Sequence, residues 1–173
     1  MPDEPCPFIT PGRPRHPHPT PYRTATPTPE GLAYSFTVPG EARYAPVVRA
    51  NVLAALRVHS IRYLAEPVLH VVTELLACGV AFAPGHDLYQ SLRWSRETLR
   101  IVNWDPHGAH PSNPDAERTC EAGRRRQLLF LSCLVRECKG EWGITAASPS
   151  HEGTKVWVEL PESGAMAYIA RHG

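Results

Sequence analysis

The hydrophobic positions of this chain change period along its length, and the changes divide it into elements. From residue 33 to 38 apolar and polar side chains roughly alternate, which predicts a first strand, and Pro39-Gly40-Glu41 ends it. Val48, Val52 and Leu56 then recur at helical spacing. A break near residues 60–66 leads into a second helical stretch, 65–83, with Val68, Val71, Leu75 and Val80 on or near its core side. Pro67 is tolerable in that first turn, and Pro84-Gly85 marks the end. Residues 88–94 and 99–104 are two β-rich runs joined by Ser95-Arg96-Glu97-Thr98, the signature of a hairpin. Residues 105–119 hold Pro, His, Asn and Asp without periodicity, so a long loop with the character of a lid is expected. Leu128, Leu129, Leu131, Cys133, Leu134 and Val135 support a third helix over about 123–138, and residues 142–146 and 155–160 close the domain as strands.

Strand, helix, helix, two strands, loop, helix and two strands is neither a repeated β-α-β order nor a run of strands alone. It predicts an α+β fold, a two-layer sandwich in which a mixed, largely antiparallel sheet carries helices on one face. The expected domain is 33–161. A Pro-rich arm, residues 1–32, has too few apolar side chains to bury a core and is expected to be disordered, and residues 162–173 are expected to form a loosely held tail.

Composition narrows the function classes. With 173 residues and 42% apolar content there is material for one core of ordinary size. A net charge of +1 gives no global electrostatic case for binding nucleic acid or an anionic membrane. No run approaches the roughly eighteen consecutive apolar residues of a bilayer span, and no secretion signal opens the sequence, so a cytoplasmic protein is expected. The cysteines, Cys6, Cys78, Cys120, Cys133 and Cys138, are odd in number and irregular in spacing, which predicts reduced thiols. A zinc set can be assembled from His107, His110, Cys120, Cys133 and Cys138. No close CxxC pair anchors it, and Cys133 and Cys138 fall in the expected helix, so no metal is expected. A redox or zinc switch on Cys78, Cys120, Cys133 and Cys138 is the third function class that the residues allow.

Candidate chemistry sits on the second helical stretch, where Glu74 and Cys78, one turn apart, share a face. Glu74 also fits an ordinary helix surface, Asp105 before Pro106 also suits a turn, and free cysteine is most often a small buried hydrophobe. Arg124, Arg125 and Arg126, near the expected start of the third helix, would oppose the positive dipole end. They read as a solvated basic face for an acidic partner, or as a phosphate clamp.

Three segments in order resemble the anti-sigma-factor serine kinases, small bacterial regulators of the ATPase superfamily shared by gyrase, heat-shock chaperones and histidine kinases. They are Val71-Val72-Thr73-Glu74-Leu75-Leu76, Ile101-Val102-Asn103-Trp104-Asp105, and Gly153-Thr154-Lys155-Val156-Trp157-Val158-Glu159-Leu160-Pro161. The resemblance covers about 34–161 and implies a Bergerat-type ATP-binding fold. It implies Glu74 as the base for an attacking hydroxyl if the protein is active, Asp105 as nucleotide-binding through the adenine amino group, and Gly123, Arg124, Gly153 and Thr154 as nucleotide-binding. At Cys78 the family has an asparagine that holds magnesium, and a thiol is a poor ligand for that hard cation. The phosphate-cradling segment before the third helix keeps a single glycine, Gly123. Together these imply weakened or lost use of ATP and magnesium. The leading expectation is a degenerate kinase that binds a sigma factor or an anti-anti-sigma-type regulator, with homodimerisation open. The alternative is an active ATP-dependent serine kinase acting on an anti-anti-sigma factor.

Overall fold

The computed structural model describes residues 28–147 and 152–172. Most of the Pro-rich arm, including Cys6 and the alternating Pro17, Pro19 and Pro21, lies outside the described residues.

Five strands form one sheet: β1 (Ala33–Pro39), β2 (Asp87–Ser95), β3 (Thr98–Asp105), β4 (Glu141–Ala146) and β5 (Thr154–Pro161), in the order β1-β2-β3-β5-β4. Every pairing is antiparallel, so the sheet is not mixed as expected but wholly antiparallel. With the helices it makes the α+β two-layer arrangement that the element order predicts. Along β2, β3 and β5 buried and less buried residues alternate, so one face of each strand meets the core. In the pairing register Leu92, Ile101 and Val158 form one fully buried row, and Gln90, Asn103 and Val156 the next. The outer face carries an Arg100–Glu159 ion pair, with the Arg100 guanidinium 5.1 Å from the Trp157 ring centre.

The hairpin between β2 and β3 turns on Arg96 and Glu97, with φ of 51° and 57°. Two consecutive left-handed residues match the right-handed twist of the strands, although Asn-Gly is the usual sequence for that turn.

Helix α1 (Ala45–Val58) begins with a proline in its first turn and buries Val48, Val52 and Leu56, the stripe read from the sequence. Helix α2 (Ala65–Phe82) is the spine of the molecule, packed between α1, the later helix α4 (Leu129–Glu137) and β3. Its Val68, Val71, Val72, Leu75 and Leu76 are at most 2% exposed. At roughly 2 kcal/mol for each buried aliphatic side chain, that face contributes about 10 kcal/mol, the same order as the net stability of a domain. The stretch Arg62–Phe82 is long and apolar enough by composition to cross a membrane, yet half of its most apolar window is buried in this core.

Three boundaries differ from the sequence reading. Leu32, assigned to the arm, is 1% exposed, and the main-chain oxygen of Thr28 lies 2.7 Å from Nδ1 of the buried His59, so the domain begins by residue 28. The expected tail is a helix, α5 (Glu162–His172), seated by Gly164 and Ala165. A methyl group at Gly164 would collide with the Cys138 carbonyl. Tyr63 donates to Glu162, a bond that pushes the Tyr63 phenol up to about 12, and Arg171 donates to the Glu137 carbonyl at 2.9 Å.

The third difference bears on the site. Helix α3 (Pro114–Gln127) begins inside the expected lid loop, and the expected single helix is two, with α4 following the break at Leu128. The start of α3 is locally encoded. Asn113 accepts the Ala116 N–H with its side chain, Pro114 occupies the first turn, and Asp115 and Glu117 face the positive dipole end. Polarity hid the helix, because its one buried residue is an arginine.

Between the sheet and α2, Gln90 Nε2 donates to Asn103 Oδ1 at 3.1 Å, while Gln90 Oε1 and Asn103 Nδ2 have no hydrogen-bond partner among the described residues. Orphaned groups of this kind cost about 1–3 kcal/mol, more than an apolar pair of similar shape. Replacing both, Gln90→Met with Asn103→Leu, is therefore expected to leave the urea midpoint unchanged or raised. Asn103→Leu alone is expected to cost about 1–3 kcal/mol, because it orphans the Gln90 amide.

Candidate functional site

Helix α3 ends against the C-terminal end of β3, and Arg124 is the contact. In its last turn Arg124, Arg125 and Arg126 lie where the helix dipole favours cations, so their expected conflict with the dipole disappears once the helix starts at Pro114. Arg125 and Arg126 are exposed, and Arg125 pairs with Glu121 at 2.9 Å, consistent with a solvated face. Arg124 departs from that reading. It is 2% exposed and enters the domain.

Its guanidinium meets Asp105, itself 0% exposed, through two parallel bonds of 2.7 Å, Nη1 to Oδ2 and Nη2 to Oδ1. This fork-to-fork geometry is the strongest arrangement of the two groups. Phe82, from the last turn of α2, lies beneath the guanidinium at 4.1 Å from its ring centre, a desolvated cation–π contact. Nη1 is also 4.0 Å from the Cys78 sulfur. Asp105 Oδ1 accepts a further bond from the His107 N–H at 3.1 Å, so both carboxylate oxygens are engaged.

The remaining expected site residues sort around this pair. Gly153 has φ of +124°, and a Cβ there would strike the Asp105 carbonyl and the Trp104 indole, so only glycine lets the chain pass so close to β3. Thr154 donates its hydroxyl to the His107 carbonyl at 2.7 Å, holding the chain that leaves Asp105. Gly123 faces Phe82, whose ring would lie 3.4 Å from an added Cβ. Cys78 is fully buried, as a small hydrophobe would be; burial pushes its thiol up to about 11 against the opposing pull of Arg124. Glu74, one turn earlier, is partly buried. Desolvation raises its carboxyl above the ordinary value while His70 draws it down.

Beside the pair is a cleft of about 170 Å³ lined in part by Arg124, Gly153 and Thr154 from the expected set, and by His107, Cys120 and Glu117. Asp105, Cys78 and Glu74 do not line it. Sites for drug-sized ligands run to roughly 300–1,000 Å³. The cleft lies below that range, and the carboxylate implied to read the adenine is behind Arg124. Sequence reasoning missed both the inward arginine and its aromatic platform, Phe82. The available signal was Asn113-Pro114, which starts the helix early enough to put Arg124 in its last turn.

Removing one partner of a buried ion pair strands the other charge, a cost of about 3–5 kcal/mol, whereas replacing both with apolar groups is often neutral. Arg124→Ala is expected to lose stability of that order in urea denaturation, and Asp105→Leu with Arg124→Met to regain most of it. Thiol labelling of the native protein near neutral pH should modify the exposed Cys133 readily and spare Cys78 and Cys138, which burial holds neutral with thiols pushed up to about 11.

No family model matches the chain, and no curated protein matches it. Among solved structures it is similar to full-length ShkA in complex with AMPPNP, at 17% identity and a TM-score of 0.43 over 56% of this chain. The chain spans 22% of that protein's length.

Proposed function

We propose that this protein is a regulatory binding protein of anti-sigma type in which the nucleotide pocket has been closed from within. The observation that carries this reading is the buried Arg124–Asp105 fork. An adenine-reading carboxylate needs a free oxygen facing an open pocket, and here both oxygens are held by a cation that is itself 2% exposed. Admitting a nucleotide requires Arg124 to leave Asp105 and Phe82, which carries the cost of separating a buried pair. The thiol at Cys78 adds a second obstacle, since magnesium takes oxygen ligands.

Phosphoryl transfer needs an aligned nucleotide, a metal and a positioned acceptor, whereas sequestration needs only a complementary surface. Loss of the pocket is thus compatible with a partner-binding role, and the partner class is a sigma factor or an anti-anti-sigma-type regulator in the cytoplasm. The arginine also makes a single repair insufficient: Cys78→Asn restores the family's metal ligand but leaves the pocket filled.

Two measurements together test the proposal. Titration calorimetry with ATP and magnesium is expected to show no saturable heat for the wild type or for Cys78→Asn. Affinity purification of the tagged chain from its native cells is expected to retain the same sigma-type regulator with and without ATP. Magnesium-dependent ATP binding that disappears in Asp105→Asn, or partner retention only in ATP, would overturn the reading and favour the active kinase.

A further inference from the structure

Three of the five residues in the sequence-level zinc set converge in the fold. His107 and His110, on the connection between β3 and α3, and Cys120, on α3, place their donor atoms within 4.8 Å of one another. The two His Nε2 atoms are 3.3 Å apart, and His110 Nε2 is 3.3 Å from Cys120 Sγ. A tetrahedral zinc with Zn–N of about 2.0–2.1 Å and Zn–S of about 2.3 Å separates its ligands by about 3.3–3.6 Å. We propose that His107, His110 and Cys120 bind one zinc ion, with the fourth position open to the cleft.

The site is built, not a chance meeting of surface side chains. The backbone of His107 is pinned on both sides, its N–H on Asp105 and its carbonyl under the Thr154 hydroxyl. The backbone of His110 is tied twice to the start of α3, its N–H on the Glu117 carboxylate and its carbonyl under the Asn113 N–H at 2.8 Å. At the donors, two imidazole nitrogens and a thiolate sulfur present lone pairs to one another that a single cation can take together. Two neutral imidazoles and one thiolate suit a borderline-soft ion, and magnesium or calcium would favour oxygen. The nearby Arg124 charge is already neutralised by Asp105, and Glu117 adds negative charge at the cleft wall. Cys133 and Cys138 take no part, being exposed and separately buried.

The ion would do structural work. It clamps the β3–α3 connection to α3, and Cys120 lies one turn from Arg124 on that helix, so metal occupancy fixes the element that carries the buried arginine. This inference does not rest on the nucleotide reading, and either can fail alone.

The test is zinc titration of the full, reduced chain, freed of metal, against a chromophoric chelator, with cobalt(II) as a spectroscopic substitute. The expected result is one equivalent bound, the absorption of a tetrahedral cobalt–thiolate site, a raised Tm with zinc, and protection of the Cys120 thiol from alkylation. His110→Ala and Cys120→Ser are expected to weaken zinc binding at least about tenfold. Cys133→Ser is expected to change nothing. Circular dichroism of the two ligand variants, whose positions are only partly buried, checks that they fold. Sub-stoichiometric zinc with no cobalt–thiolate band would overturn the assignment. So would stoichiometric binding that survives Cys120→Ser and His110→Ala.

Discussion

The arrangement of this protein's candidate site depends on a buried ion pair. Asp105 ends β3 with no exposed surface, and a carboxylate taken out of water needs a partner of matching charge and geometry. Arg124 supplies it with two bonds of 2.7 Å, Phe82 supplies a π face, and together they define where α3 can lie. Arg124 is the one buried residue of α3, so its pairing with Asp105 is the main interior contact that seats the helix. The polarity of α3 and the burial of Asp105 are two sides of one constraint.

That constraint connects fold to function. In the scheme that the sequence resemblance implies, the carboxylate at the end of β3 would face a base and the residue at Cys78 a metal. Here one guanidinium spans both positions, bonded to Asp105 and 4.0 Å from the Cys78 sulfur. Under the proposed function, a permanent side-chain cation stands where a dissociable nucleotide and cation would otherwise meet the protein. The proposed replacement is compatible with the scaffold of α2 core, sheet and Gly153 passage that the structure shows. On the proposed reading it removes the part of the chemistry that depends on an exchangeable ligand and leaves partner recognition to the outer surfaces.

Much of the architecture was legible because its periodicities are strong. The stripe Val48, Val52, Leu56, the apolar face of α2 and the alternation along β2, β3 and β5 each report directly which side chains leave water. Gly153 and Thr154 were read as nucleotide-binding through the resemblance; what the structure shows for Gly153 is a packing reason, a backbone too close to β3 for any Cβ. Helix α3 was not legible by the same means. Its apolar content is minimal, so only the Asn113 cap and Pro114 announce it, and the pattern of Leu residues pulled the expected helix toward α4. The inward course of Arg124 was hidden for a related reason: within a run of three arginines, sequence alone does not single out the one whose long apolar stem and planar head fit an interior site. The convergence of His107, His110 and Cys120 required the three-dimensional path of the connection, since no compact ligand motif marks it. The docked α5 was missed because its buried residues are Gly164 and Ala165, whose small size gives little hydropathy signal, and its ties through Glu162 and Arg171 are polar.

The most direct measurement is a crystal structure of the full chain grown with a large excess of AMPPNP and magnesium. The account predicts Arg124 still forked on both Asp105 oxygens above Phe82, with no purine density against β3. An adenine amino group bonded to Asp105, with Arg124 displaced from the interior, would contradict it.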